Sequence, residues 1–158
     1  MTSVSLLTEL NTLLNQEGIH SLQAAMRHKG LAQLGDSLTN LLFSLAFSLH
    51  STGFQGEKVA GKTLASALRF AELREIAPSR LDAHGLGDCV EAMIAYGWIR
   101  GFFTIPEAAQ VLRENFIQVG LEPGLRKVER VERIARGFAL LLRQIWEKEQ
   151  TLLALESQ

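Results

Sequence analysis

Two short stretches, Leu34-Gly35-Asp36-Ser37-Leu38 and Leu86-Gly87-Asp88-Cys89-Val90, nearly repeat each other, and each opens an apolar run with helical spacing. The chain has only three aspartates, at positions 36, 82 and 88, and two of them stand in these twin stretches. Glu91 follows the second aspartate by three residues, so Asp88 and Glu91 share one face of a helix. We therefore identify Asp36, Asp88 and Glu91 as candidates for one shared acidic site.

The glycines of the two stretches suggest how such a site could form. A glycine inside a helix costs about 1 kcal/mol relative to alanine, so two at matching places call for a reason. Without a Cβ, Gly35 and Gly87 would let two helices cross closely and bring the neighbouring aspartates together. Three adjacent carboxylates would repel one another, and a divalent cation would remove that repulsion. Hard oxygen ligands of this kind suit Mg2+ or Mn2+.

A simpler alternative is that the two aspartates only cap two unrelated helices. Aspartate is a favoured N-cap residue, and a Leu-Gly-Asp string is short. Spacing alone leaves both interpretations open.

The totals describe an ordinary globular chain of 158 residues, 47% hydrophobic and 21% charged, a size typical of one domain. The formal net charge is −1, so contact with nucleic acid would have to come from local basic clusters. The single cysteine, Cys89, excludes an internal disulfide and a cysteine-based zinc site. Neither a secretory signal nor an apolar run of about 20 residues is visible, so we expect a cytoplasmic protein with no membrane partner.

Helical periodicity extends almost from end to end without an alternating strand pattern, and it predicts an all-α fold. We expect Thr2 or Ser3 to cap a first helix that Gly18 follows, and Thr104 to cap a helix that continues to about residue 119. The other predicted helices span residues 19–26, 29–50, 58–73, 86–100 and 125–155. We expect a single domain over residues 1–158 that ends in the long helix from about 125.

Two groups of basic residues could contact an anionic partner. Lys58, Lys62 and Arg69 fall on the outer face of the predicted helix 58–73 and are the best candidates for phosphate contacts, although each could be ordinary helix surface. Around the apolar face of the last helix lie six more basic residues with Glu129 and Glu132 between them (Arg126, Lys127, Arg130, Arg133, Arg136 and Arg143). Such alternation is more often an ion-paired, solvated face than an RNA-binding one.

The two acidic motifs, in this order on two helices of an all-α chain, resemble those of the ribonuclease III catalytic domain. The family's first motif reads roughly Glu-x-x-Glu-Phe-Leu-Gly-Asp, where this chain has Lys29-Gly30-Leu31-Ala32-Gln33-Leu34-Gly35-Asp36. The later motif reads Asp-x-x-Glu-Ala-Leu-Ile-Gly, where this chain has Asp88-Cys89-Val90-Glu91-Ala92-Met93-Ile94-Ala95. The resemblance covers roughly residues 31–114 and implies a helical bundle of the ribonuclease III endonuclease type.

Two acids of the family pattern are missing, because Ala32 and Lys29 stand where the family has glutamates. With alanine at position 32 the motif resembles that of the Mini-III branch, which also has alanine there and still cleaves RNA. That branch lacks a double-stranded-RNA-binding domain. A chain of this length leaves no room for such a domain either. Asp88 departs from Mini-III in turn, so the chain resembles a small divergent relative of both.

The resemblance implies a metal-dependent endoribonuclease that acts as a homodimer on double-stranded or structured RNA. It implies that Asp36 and Glu91 hold Mg2+ (or Mn2+) directly, with Asp88 as a further ligand or as a residue that orients them. It also implies products with a 5′-phosphate and a 3′-hydroxyl, and recognition of an A-form duplex by backbone shape and 2′-hydroxyls.

Other functions fit the same residues. The missing acid at Ala32 and the near-neutral charge favour a catalytically weakened RNA-binding or dimeric assembly protein of the same fold. Alternatively, an interaction protein could dimerise through the last helix, whose apolar residues from Val128 to Ile145 follow the spacing of a coiled-coil seam. A different metal-dependent helical hydrolase is a third alternative, although no His–Asp pair is evident in the sequence.

Overall fold

The computed structural model describes residues 5–158, which form seven α-helices, one short 3-10 helix and no strand. The all-α prediction is confirmed, whereas the predicted caps Thr2 and Ser3 lie outside the described residues. The helices are α1 (Leu6–Gln16), α2 (Leu22–Met26), α3 (Lys29–Ser51), α4 (Gly61–Phe70), α5 (Ala83–Ile99), α6 (Ile105–Val119) and α7 (Lys127–Glu156), with the 3-10 helix Arg74–Ile76 between α4 and α5. Over residues 5–158, no helix combines the length and the apolar character needed to cross a membrane.

Helix α5 is the centre of the bundle. Every residue from Cys89 to Gly97 is buried, and α3 and α4 pack extensively against this helix. Helix α2 covers a further part of it. A helix that is buried on all sides is apolar all round, and the part of α5 from Cys89 to Gly97 is so apart from Glu91. The second acidic motif therefore lies on the helix around which the others are arranged.

The starts of α3 and α5 decide what the two motif aspartates do. Helix α3 is capped by His28, whose Nδ1 accepts a hydrogen bond of 3.0 Å from the backbone N–H of Leu31. Helix α5 is capped by Asp82, whose Oδ1 accepts one of 2.8 Å from the N–H of Gly85. Asp36 and Asp88 both lie inside their helices, so the alternative that they are only N-caps is wrong.

The boundaries of α2, α4 and α5 differ from the prediction, and two of these differences bear on the cleft. Lys58 and Val59 lie in an extended segment before α4, which begins at Gly61 rather than at Lys58. Helix α5 begins at Ala83, before the predicted start at Leu86, because the Asp82 cap ends the connector early.

The apolar face of α7 packs against other helices of the same chain. Ala135, Phe138, Leu142 and Ile145 are all buried, and α7 packs mainly on α4 and α6. Val128, at the start of the predicted seam, is exposed. The long C-terminal helix is confirmed, but the hypothesis that its seam is free to serve as a dimer interface is wrong.

One buried carboxylate joins the far end of α7 to the start of the chain. Glu149 is 1% exposed. Its Oε2 accepts a hydrogen bond of 2.6 Å from the backbone N–H of Leu22 in α2, and its Oε1 accepts one of 3.1 Å from the hydroxyl of Tyr96 in α5. Burial, together with the charge of Glu149, raises the pKa of the Tyr96 hydroxyl, so the tyrosine stays protonated and donates. Glu149 therefore ties three helices together.

Candidate active site

The first motif glycine brings α3 against α5. A Cβ on Gly35 would lie 1.9 Å from the carbonyl oxygen of Glu91 and 2.4 Å from its carbonyl carbon, too close for any side chain. The backbones of the two helices therefore touch, with Asp36 beside the contact on α3 and Glu91 at the contact on α5. The predicted role of Gly35 is confirmed.

The second motif glycine serves another pair of helices. A Cβ on Gly87 would lie 2.7 Å from the Cα of Gly61 and 2.8 Å from its carbonyl oxygen. Gly87 therefore lets α5 approach the first residue of α4, and the prediction that both glycines face one crossing is wrong. The two contacts together hold α3 and the start of α4 on the same side of α5, where a cleft opens.

The three predicted acids all line this cleft, which has a volume of about 670 Å³. Its walls come from the junction of α2 and α3, the first half of α3, the start of α4 and the first half of α5. Asp36 and Asp88 are exposed, whereas Glu91 is only 8% exposed. Residues distant in the sequence thus meet at one surface, as the twin motifs suggested.

The surroundings of Glu91 disfavour its charged form. Burial, hydrogen bonding with the carboxyl group of Asp36, and the charges of Asp36 and Asp88 raise the pKa of Glu91 from 4.5 to about 8. Near neutral pH this carboxyl group therefore holds a proton when no cation is bound. A cation that binds here would displace the proton, since a carboxylate ligand must be deprotonated.

Asp36 and Asp88 each have a partner that sequence reasoning missed. Oδ1 of Asp36 accepts a hydrogen bond of 3.1 Å from Nδ2 of Asn40, and Oδ2 of Asp88 lies 3.9 Å from Nε2 of His84. Both partners are four residues away on the same helix face, a spacing that could have found them. The statement that the sequence offers no His–Asp pair is therefore wrong.

The donor set fits a divalent cation held by two carboxylates better than one held by three. Within residues 5–158, no group of three or more His, Cys, Asp or Glu side chains converges closely enough to hold an ion. Asp36 and Glu91 interact directly, while Asp88 is paired with His84. Mg2+ often binds one or two carboxylates and keeps several of its waters, so two hard oxygen donors suit it.

The two positions that lack the family's glutamates also line the cleft. Ala32 is half-buried in its wall, so a longer side chain at this position would face the acids. Lys29 is exposed at the rim, where Arg27 adds a second positive charge. Sequence reasoning did not include this basic side of the cleft.

Two of the three predicted phosphate-binding residues flank the cleft. Lys58 and Lys62 are exposed, and their neighbours Val59 and Gly61 line the cleft. Arg69 is exposed in the last turn of α4, about 10 Å along the helix axis from Lys62. None of these three cations forms an ion pair with another described residue.

Arg126 and the arginines of α7 bind other groups of the protein. Arg133 donates hydrogen bonds to the carbonyl groups of Val119 and Gly120 at the end of α6. The others make ion pairs with glutamates (Arg126 with Glu129, Arg130 with Glu57, Arg136 with Glu132 and Arg143 with Glu72). The interpretation of this face as ion-paired is therefore confirmed.

The protein is an all-helical domain with carboxylates from two crossing helices at one surface. A family model described as ribonuclease III matches residues 29–151, from the start of α3 into the last turns of α7. The chain belongs to the ribonuclease III family. No curated protein matches it.

Proposed function

We propose that the protein is a metal-dependent endoribonuclease that hydrolyses phosphodiester bonds of double-stranded or structured RNA. The observation that carries this proposal is the cleft lined by Asp36, Asp88 and Glu91 inside the region matched by the family model. The interaction of Asp36 with Glu91, and the raised pKa of Glu91 to about 8, support a site built for positive charge.

In this proposal Asp36 and Glu91 hold Mg2+ (or Mn2+), and Asp88 orients water or adds a donor beside them. When bound, the cation would supply Lewis-acid chemistry, activating water and neutralising charge on the attacked phosphate. Glu91 would release its proton on binding, since only the carboxylate is a ligand. His84, 3.9 Å from Asp88, would keep that carboxylate on the open side of the cleft.

The decisive experiment replaces Glu91 with glutamine, which keeps the size of the side chain and removes its charge. Glu91→Gln should abolish Mg2+-dependent cleavage of duplex RNA while the protein stays folded. Glu72→Gln is the control, because Glu72 is an exposed partner of Arg143 outside the cleft. The Glu72→Gln protein should cleave duplex RNA as the wild type does. A Glu91→Gln protein that cuts duplex RNA at the wild-type rate would rule the proposal out.

Basic residues in and just before α4 would supply the contacts with RNA. Lys58, Lys62 and Arg69 would bind phosphates of an A-form duplex, whose recognition depends on backbone shape and 2′-hydroxyls. Replacing Lys58 or Lys62 with alanine should weaken binding of all duplex sequences alike and lower the salt slope by about 1. Lys127→Ala, at the start of α7 and away from the cleft, should leave both unchanged.

The proposal includes a homodimer formed through α3. Four leucines on this helix are between 38% and 52% exposed (Leu34, Leu41, Leu45 and Leu49). Their spacing of seven, four and four residues places them in one stripe along the helix that carries Asp36. Contiguous exposed apolar residues are typical of contact surfaces, and a two-fold axis there would pair the stripe with itself. Each acidic cleft would then lie next to the interface.

The dimer is tested by charging the stripe. The double variant Leu41→Glu and Leu45→Glu should elute as a monomer, with its mass measured by light scattering, whereas the wild type should be a dimer. Ile117→Glu is the matched control, since Ile117 is 60% exposed on α6 and outside the stripe. A double variant that remains a dimer would show that the interface lies elsewhere.

One observation favours a second function, a catalytically weakened RNA-binding or assembly protein of the same fold. Ala32 faces the cleft where the family has a glutamate, so the site has fewer donors than the family pattern. In that case purified protein would bind duplex RNA at low salt but would not cut it with Mg2+ or Mn2+.

A further inference from the structure

A polar stripe on α3 holds the extended segment that leads into α4. We call this segment, residues 55–59, the strap. Three side chains spaced four residues apart on α3 each bind the backbone of one strap residue, and the bound residues alternate along the strap (Ser48 with Gln55, Ser44 with Glu57 and Asn40 with Val59). Each serine makes two bonds to its partner, since it accepts from the backbone N–H at 2.9 Å and donates to the carbonyl at 3.1 Å.

Asn40 differs from the two serines because its second bond goes to an acid. Its Oδ1 accepts a hydrogen bond of 2.9 Å from the N–H of Val59, and its Nδ2 donates one of 3.1 Å to Oδ1 of Asp36. Asp36 is four residues before Asn40 and therefore next along the same stripe. The row of contacts that fixes the strap thus ends on a carboxylate of the cleft.

The geometry of an amide makes this arrangement directional. An asparagine has its acceptor and its donors on opposite sides of one planar group. Because Val59 occupies the acceptor, the donor side must face Asp36. A donor at this place restricts the rotation of the carboxylate.

We propose that Asn40 is a positioning residue that holds the carboxylate of Asp36 ready for the cation and couples it to the strap. This inference rests on the proposed function of the cleft. Asp36 interacts with Asn40 through one oxygen and also with Glu91, so Asn40 fixes how Asp36 is presented to that partner. Lys58 lies in the strap beside Val59, and contact of Lys58 with RNA would therefore reach Asp36 through the Asn40 amide.

Two variants separate the contact with Asp36 from the contact with the strap. Asn40→Ser leaves a hydroxyl that can bind Val59 as Ser44 binds Glu57, but it removes the amide donor to Asp36. Ser44→Ala removes two strap bonds and leaves the Asn40 contact with Asp36 in place. The two proteins are compared with the wild type by titrating Mn2+ into RNA-free protein and by the Mg2+ dependence of cleavage, with melting temperatures as the check on folding.

Asn40→Ser should bind Mn2+ about 10- to 100-fold more weakly and need correspondingly more Mg2+, the usual effect of losing a partner behind a metal ligand. Its KM for RNA at saturating Mg2+ should be unchanged. Ser44→Ala should bind Mn2+ as the wild type does, even if its melting temperature is the lower of the two.

Equal weakening in both variants, or none in Asn40→Ser, would overturn the inference. Asp36→Asn distinguishes that result from failure of the proposed function. If Asp36→Asn loses Mn2+ binding and cleavage while Asn40→Ser behaves as the wild type, only the role of Asn40 is wrong. If Asp36→Asn keeps both activities, the proposed function fails, and the inference fails with it.

Discussion

The backbone of Gly35 rests directly on the carbonyl group of Glu91, with no room for even a methyl group between them. This contact sets the separation of α3 and α5 at the cleft. Asp36 is the next residue after Gly35, so the same contact that packs the two helices also places its carboxyl group beside that of Glu91. The packing of α3 on α5 and the placement of Asp36 beside Glu91 are therefore determined by the same crossing.

A methyl group at this crossing should be poorly tolerated. Gly35→Ala should lower the free energy of unfolding by at least about 3 kcal/mol, the upper end of the usual cost of overpacking, because the clash is with backbone that cannot rotate away. Gly53→Ala is the control, since a Cβ there meets nothing within 4 Å, and it should change stability by less than about 0.5 kcal/mol. Chemical denaturation measures both, and equal stability of the two variants would contradict the contact.

The raised pKa of Glu91 predicts how stability depends on pH. The pKa is higher in the folded protein, about 8, than the ordinary value of 4.5, so folding favours the protonated form. Stability from this source is fully present below about pH 4.5 and is lost as the pH rises through about 8. Glu91→Gln cannot ionise and should not suffer this loss.

Melts in the presence of a chelator test this prediction. Between about pH 5 and 9, Glu91→Gln should gain on the wild type by an amount on the order of a few kcal/mol, since one pKa unit corresponds to about 1.4 kcal/mol. Mg2+ should narrow the difference, because it stabilises the wild-type carboxylate. A difference between the two proteins that does not vary with pH would refute the assigned environment of Glu91.

Restoring an acid at position 32 should have opposite effects with and without a cation. Ala32→Glu would add a carboxylate facing Asp36 and Glu91, which should lower the melting temperature in a chelator through like-charge repulsion. It should tighten Mg2+ binding by roughly tenfold or more, since ligand charge tunes affinity over decades. Ala32→Gln, of similar size but uncharged, should do neither. The proposed cation site is contradicted if the glutamate and glutamine variants bind Mg2+ equally.

Removing the buried carboxylate of Glu149 should be costly even though it lies outside the cleft. Glu149→Ala would leave the N–H of Leu22 and the hydroxyl of Tyr96 without a partner in the core, a loss of about 3 kcal/mol. Glu147→Ala, two residues earlier and exposed, should change stability by less than about 0.5 kcal/mol. Urea denaturation of the two variants gives the comparison, and similar midpoints would mean that the three-helix tie contributes little.

The fold and the acidic motifs could be predicted from the sequence because they depend on local patterns. Helical periodicity is a property of neighbouring residues, and it found α3, α6 and α7 to within a few residues. Gly35 could be assigned to a close crossing because a glycine in a helix has few other uses. The partner of Gly87 could not, since nothing local distinguishes Gly61 of α4 from a residue of α3 as the surface it meets.

The rest of the site depends on contacts that local patterns do not reveal. The strap has no helical or alternating pattern of its own, and its backbone is held by side chains of another element, so Lys58 was wrongly placed in a helix. The apolar face of α7 has the spacing of an intermolecular seam, and only the positions of α4 and α6 show that it is covered within the chain. His84 and Asn40, by contrast, were within reach of the four-residue rule.

The bond between Glu149 and Leu22 has a consequence for how the protein is made. The carboxylate of Glu149 accepts this hydrogen bond from Leu22, a residue 127 positions earlier. Leu22 begins α2, and α2 leads directly into the wall of the cleft. During synthesis, α2 is therefore made long before the carboxylate that accepts its first N–H. A product that ended between Glu91 and Glu149 would carry every acid of the cleft, yet it would leave the N–H of Leu22 without its buried acceptor.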